Sequence, residues 1–194
     1  MQAFLKTKQR DIIGWDEITQ GGLANGAVVQ WWRANVGPSV VNTAISQGSY
    51  TITSPYDKVY LMDGYDKIPH RTVYDFDAVP SVVSPDNAHF VLGSEACFWT
   101  ENIPNTFDLE GKMYPRLCAF SEVMWSPRSL RNWNSYLTSL GRYVTRLSNT
   151  GINYYKDPLI PANPPSTTIT VMPRPAQMTV KQFGSYNTDT CNGN

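Results

Sequence analysis

The 194-residue chain has only two histidines, three cysteines and no excess of either charge: sixteen Lys and Arg balance sixteen Asp and Glu. Each shortage excludes a class of function. Without surplus positive charge, attraction to phosphate backbones or anionic lipid surfaces has no source, so nucleic acid and membranes are not expected partners. His70, His89, Cys97, Cys118 and Cys191 lie far apart and show none of the paired spacings of zinc sites, so no metal and no cofactor are expected. No run approaches the roughly 20 apolar residues of a membrane helix, and Met1 is followed by polar, Lys-containing sequence instead of a signal peptide's apolar stretch. Cys97 and Cys118 sit in apolar surroundings, where a buried free thiol is the ordinary reading.

Aromatic residues, by contrast, are plentiful. Six Trp and eleven Tyr bring them to 12% of a chain that is 41% apolar, enough for one sizeable core. Flat side chains with one polar edge suit core packing and also the apolar faces of sugar rings.

The order of elements reads as α/β. Residues 1–9 read as the tail of a helix, with the expectation that sequence precedes it. Short apolar runs at 11–15, 27–31, 50–53 and 90–97 are expected strands, bounded by signals such as Gly21-Gly22 and Asn25-Gly26. Helices are expected after Pro38 up to Gly48, from Pro115 to Trp125, and from Ser126-Pro127 to Gly151. In the last of these Leu130, Trp133, Leu137, Leu140, Val144 and Leu147 recur at spacings of three and four. Residues 54–88 show no long period and read as a functional loop. From residue 156 the chain becomes rich in Pro and Thr, which reads as a linker or the start of a further β-module.

Strands alternating with helices imply parallel pairing, with ligand chemistry at the strands' C-terminal ends. The aromatic and acidic residues fall there. Trp15 with Asp16-Glu17 closes the first strand, Trp31-Trp32 the second, Tyr60 and Asp63 follow the third, and Trp99 and Glu101 the fourth.

In order, Gly14-Trp15-Asp16-Glu17-Ile18, Val29-Gln30-Trp31-Trp32-Arg33, Tyr60-Leu61-Met62-Asp63, Gly93-Ser94-Glu95-Ala96-Cys97-Phe98-Trp99-Thr100-Glu101, Tyr114-Pro115-Arg116-Leu117, Ala119-Phe120-Ser121-Glu122 and Trp125-Ser126-Pro127 resemble the family 20 glycoside hydrolases, the β-N-acetylhexosaminidases. The resemblance covers residues 1 to about 155. It implies a partial (β/α)8 TIM barrel, strands five to eight with their helices, over 1–155, followed by a Pro-rich tail over 156–194. It further implies hydrolysis of terminal N-acetylhexosamine residues of glycans or chitooligosaccharides by substrate-assisted catalysis, and a secreted or lysosomal location.

By the same resemblance, Trp15, Trp32 and Trp99 wall the acetamido pocket, Trp99 also underlies the sugar, and Tyr60 bonds the acetamide oxygen. Glu101 takes ring hydroxyls, and Asp63 does so as well, although the family pattern Tyr-x-Asp is here Tyr-x-x-Asp. The family's catalytic Asp-Glu pair lies in a His-x-Gly-Gly-Asp-Glu motif that this chain does not contain. Its only Asp-Glu dipeptide, Asp16-Glu17, belongs to the Gly-Trp-Asp-Glu segment, either at the barrel mouth or as a support for the loop. No catalytic acid is therefore assigned here, and the missing N-terminal half of the barrel is an expected partner. The alternatives are an N-acetylglucosamine-binding module without turnover, and a truncated product with no function of its own.

Read apart from the family, Trp31, Trp125 and Trp133 are expected in the core, His70 and His89 on the solvated surface, and Arg116 as ion-pair partner to Glu95 or Glu122.

Overall fold

The computed structural model describes residues 1–161; Cys191, the prolines at 164, 165, 173 and 175 and the expected β-module from Thr167 lie outside them. Helix α1 (Gln2–Thr7) leads into β1 (Ile13–Trp15), and a 3-10 turn over Asp16–Gly21 precedes β2 (Val28–Trp31). Then follow α2 (Ser39–Ser46), β3 (Thr51–Thr53), two short helices α3 (Tyr56–Val59) and α4 (His70–Tyr74), and β4 (Val91–Ser94). Helices α5 (Thr106–Met113), α6 (Arg116–Trp125) and α7 (Trp133–Asn149) complete the domain.

The four strands form one parallel sheet in sequential order. Parallel neighbours need crossovers, and the chain supplies helices for the second and third. Side chains alternate across the sheet. Val29 and Trp31 point to the same face and are both buried, Trp31, as expected, in one cluster with Val41 and Ile45 of α2 and with Val83. On the opposite face Ile13 and Leu92 remain about half exposed, at 54% and 49%. There the buried Gln30 donates to Ser54 Oγ at 3.1 Å and to Glu95 Oε2 at 2.7 Å. The β3–β4 register slips by one residue, with Thr51 opposite Val91 and Ile52 opposite Gly93. Gly93 follows the slip with φ of 143°, a conformation that side-chain-bearing residues rarely adopt.

The second core lies among α4, α6, α7 and the connection between β3 and β4. Residues 54–88 are less a loop than half of this core: Leu61, Ile68, Val73, Tyr74 and Phe76 are all buried in it. Helix α7 contributes Tyr136, Leu137, Leu140 and Val144, and its N-terminus is capped by Asn132, whose side chain accepts from Ser135 N. Each fully buried Leu or Val contributes about 1.5–3 kcal/mol. Helix α5 has no buried residue, so it carried no apolar period to read; its sign is the Asn105 side chain accepting from Asp108 N.

Besides the loop reading of residues 54–88, three expectations about single side chains fail. His70 is buried, because Asp157 and Tyr136 satisfy both ring nitrogens within the core. Arg116 pairs with neither Glu95 nor Glu122; its fully buried guanidinium donates to the carbonyls of Leu61, Asp63, Ile68 and Lys112, and its Cζ lies 4.0 Å from the Tyr65 ring centre. Trp125, at the last position of α6, is 88% exposed, beyond the reach of the core that Ala119 and Val123 enter on the same helix. Trp133 does pack, against Tyr74, Tyr136 and His70, and His89 is exposed. Residues 152–161 are held to the domain by Tyr155 N donating to Tyr114 O, by Asp157 on His70 and by Ile160 against the core. Among the described residues no helix is long and apolar enough to cross a membrane, and no cluster of His, Cys, Asp or Glu is arranged to hold a metal ion.

Candidate functional site

All four strands end beside one cleft of about 800 Å³, lined by Gly14, Trp15, Glu17, Ile18, Trp32, Tyr56, Tyr60, Met62, Asp63, Trp99 and Glu101. The six residues singled out in the sequence, Trp15, Trp32, Tyr60, Asp63, Trp99 and Glu101, are thus brought together from four separate segments.

Trp15 is the last residue of β1. Its ring centre lies 6.4 Å from that of Trp32 in an edge-on arrangement and 5.9 Å from that of Trp99. Trp32, one residue past β2, stacks with Tyr60 at 6.1 Å and 20°. The four rings form a continuous aromatic wall, and offset or edge-on pairs of this kind are the favourable geometry for their quadrupoles. Trp99 stays 43% exposed, leaving indole surface open to a ligand.

Space at the foot of the wall depends on Gly14. A Cβ there would stand 2.4 Å from Ile18 Cγ2, so the 3-10 turn can fold back onto β1 only over a glycine.

Tyr60 is drawn into place by a parallel bridge to Cys97, with Leu61 N donating to Cys97 O at 3.0 Å and Cys97 N to Val59 O at 2.9 Å. Burial, helped by the neighbouring Cys97, pushes its hydroxyl up to about 12, with the Trp99 indole pulling the other way; Tyr60 is therefore a neutral donor. Burial, then the charge of Glu95, raises the Cys97 thiol to about 11, so it is no thiolate nucleophile.

After Tyr60 the chain turns, with Asp63 N donating to Tyr60 O at 3.1 Å. This turn carries the extra residue of the Tyr-x-x-Asp spacing and leaves the Asp63 side chain on the cleft wall. Arg116 Nη2 fixes the turn from below at Leu61 O, 2.6 Å, and Asp63 O, 2.8 Å, while Lys112 Nζ holds Met62 O at 2.7 Å. Glu101, in a 3-10 turn over Thr100–Asn102, places an exposed carboxylate at the rim.

Sequence reasoning missed Tyr56, Met62, Gly14 and Ile18. Tyr56 had a usable sign, since it stands four residues before Tyr60 and its ring centre lies 6.3 Å from that of Trp32. Glu17, left open between mouth and support, is found on the wall.

Asp16 is fully buried beneath it. Its Oδ2 accepts from Trp32 N and Arg33 N, each at 3.1 Å, and its Oδ1 pairs with Arg33 Nε. Burial pushes the Glu17 carboxyl up. The Trp32 indole N–H, its own backbone N–H and Arg33 outweigh that and hold the group below the ordinary glutamate value. A flat aromatic wall with acidic acceptors at its margin suits a ring-shaped ligand with apolar faces and hydroxyl edges.

Known proteins resemble this chain in sequence and in fold. The model described as glycosyl hydrolase family 20, catalytic domain, matches residues 1–128. The β-hexosaminidase of Porphyromonas gingivalis is 32% identical over 78% of this chain and 21% of its own length, and the β-N-acetylhexosaminidase of Cellulomonas fimi is 28% identical over 78% and 32%. Among solved structures, the family 20 β-N-acetylhexosaminidase of Streptomyces coelicolor superposes with a TM-score of 0.73 at 28% identity, covering 83% of this chain and 35% of that one. A mutant β-hexosaminidase of Streptomyces plicatus in complex with product N-acetylglucosamine gives 0.74 at 27% identity, over 83% and 35%. The chain spans between a fifth and a third of the length of these two relatives. With the family model covering residues 1–128 and both comparisons in agreement, the chain belongs to glycosyl hydrolase family 20.

Proposed function

We propose that this chain supplies the N-acetylhexosamine-gripping wall of a β-N-acetylhexosaminidase that removes terminal, non-reducing N-acetylhexosamine from glycans or chitooligosaccharides. The carrying observation is the convergence of Trp15, Trp32, Tyr60, Asp63, Trp99 and Glu101 on one cleft at the C-terminal ends of four parallel strands. In this reading β1–β4 are strands five to eight of a (β/α)8 barrel over residues 1–155, with 156–161 still packed on it through Asp157 and Ile160 and a linker or further module after them, and the protein is secreted or lysosomal.

The three indoles and Tyr60 box the acetamido group and press its carbonyl oxygen toward the anomeric carbon. Holding a nucleophile at attack distance is worth up to about 7–11 kcal/mol of barrier. Tyr60, neutral because its hydroxyl is raised to about 12, donates to the acetamide oxygen as the ring closes. Asp63 and Glu101 accept from sugar hydroxyls. The acid that protonates the leaving oxygen, and the carboxylate that orients the acetamide, come from outside these 194 residues, since no His-x-Gly-Gly-Asp-Glu motif occurs in them.

Titration of the chain with N-acetylglucosamine, followed by tryptophan fluorescence, tests this. Saturable binding that Trp99→Ala weakens supports the wall, and release of aglycone from an aryl N-acetylglucosaminide only once the missing half of the barrel is supplied supports the enzyme reading over a binding module without turnover. Turnover by the chain alone would overturn the placement of the acid. No binding would favour a truncated product without a function of its own.

A further inference from the structure

Resting on that reading of the cleft, we propose that Glu17 is a positioning residue: it clamps the indole of Trp32 from the end of the neighbouring strand and so sets the shape of the acetamido box. Trp32 Nε1 lies 3.1 Å from Oε1 and 3.0 Å from Oε2 of Glu17, so one N–H is shared by both carboxylate oxygens. The strand ladder cannot do this work. Pairing of β2 with β3 ends at Trp31 opposite Thr53, and Trp32 is the first residue past it. Beyond the ladder, a side chain keeps whatever rotamer its neighbours impose.

Two adjacent carboxylates divide the task. Asp16, fully buried, takes the backbone N–H groups of Trp32 and Arg33, which fixes where the Trp32 Cα sits. Glu17, on the cleft side of the same 3-10 turn, takes the indole, which fixes where the ring points. Arg33 joins them, its Nε pairing with Asp16 Oδ1 and lying 3.6 Å from Glu17 Oε1. That one guanidinium offsets part of the charge that two neighbouring carboxylates would otherwise concentrate, and a bond from an indole N–H to an ionised acceptor is stronger than one to a neutral oxygen. Trp15 edge-on and Tyr60 stacked then confine the ring from two further sides. Glu17 itself lines the cleft, so direct contact with the ligand is the competing role, and the test separates the two.

The full chain, carrying 15N at the tryptophan indoles, is compared with Glu17→Ala and Glu17→Gln, the Trp32 indole signal being assigned through Trp32→Phe. Expected in Glu17→Ala are a displaced Trp32 indole resonance, faster exchange of that N–H with deuterated water, smaller shifts of the Trp15 and Trp99 signals, and about tenfold weaker binding of N-acetylglucosamine, the scale of ordering one freed side chain on binding. Glu17→Gln keeps a carbonyl acceptor and restores both the resonance and most of the affinity. An unmoved Trp32 resonance in Glu17→Ala overturns the proposal; if affinity falls all the same, Glu17 contacts the sugar directly. If the parent chain binds no N-acetylglucosamine, the reading of the cleft fails while the indole resonance still decides whether Glu17 clamps Trp32.

Discussion

His70 bonds Asp157 through Nδ1 at 2.9 Å and Tyr136 through Nε2 at 2.8 Å, joining helix α4, helix α7 and the segment after α7 in one buried chain of polar groups. Burial holds the imidazole below its ordinary value. The bond and charge of Asp157 oppose that, and the charge of Arg116 adds to it. A histidine whose folded pKa is depressed binds fewer protons folded than unfolded, so stability falls as pH drops through the ordinary histidine value toward the folded one and is flat above it. Thermal melting of the chain should lose midpoint temperature between about pH 7.5 and about pH 5.5, and His70→Gln should flatten that slope. A slope unchanged by the substitution would place the titrating group elsewhere.

The same chain of bonds makes Asp157 structural. It is 7% exposed at its side chain and, besides His70, accepts from Leu159 N at 2.9 Å. Asp157→Ala strands a buried imidazole nitrogen and should cost about 1–3 kcal/mol in urea unfolding. Trp125→Ser, at an 88% exposed position, should change stability by no more than about 0.5 kcal/mol and serves as the contrast.

Arg116 is the buried cation whose role the sequence misassigned. The expectation of an ion pair came from charge alone, whereas the guanidinium fork matches a cage of backbone carbonyls drawn from the Tyr60–Asp63 turn, Ile68 and Lys112. Lysine keeps the charge but not the fork. Arg116→Lys should therefore lower stability by about 2–4 kcal/mol, because several buried carbonyls lose donors at once. It should also weaken N-acetylglucosamine binding by loosening the turn that carries Asp63. Urea unfolding and ligand titration of the same variant check both; full stability with full affinity would refute the cage's role.

What the sequence made legible follows from how local each signal is. The strands, α2, α6 and the body of α7 announced themselves through apolar periods, and the cleft through aromatic residues at four strand ends. The helix start expected at Ser126-Pro127 was wrong, since α7 begins at Trp133 behind the Asn132 cap and Leu130 stands exposed in a 3-10 turn before it. His70 and Arg116 could not be placed this way. Their burial depends on Asp157, 87 residues on, and on Leu61, 55 residues back, and nothing near either residue in sequence records those partners. Helix α5 escaped for the opposite reason: it buries nothing, so no apolar face marks it.

Gly14 gives the sharpest geometric prediction for the cleft. Its φ is not among the left-handed values, so alanine fits the strand backbone, and only space forbids it. The obstructing Ile18 Cγ2 at 2.4 Å is a branched methyl close to its own backbone, with Cδ1 at 3.2 Å beside it, and a β-branched side chain has few rotamers to turn into. Gly14→Ala must push the 3-10 turn outward, and that turn carries Asp16 and Glu17. The expected cost is about 1–3 kcal/mol, the range for overpacking, together with weaker binding of N-acetylglucosamine as Trp32 loses its clamp. The double variant Gly14→Ala, Ile18→Ala removes the offending methyl and should recover affinity that Ile18→Ala alone does not improve. Such a recovery in a double-mutant cycle would tie the two positions together, and strict additivity would show that Gly14 acts through something other than Ile18.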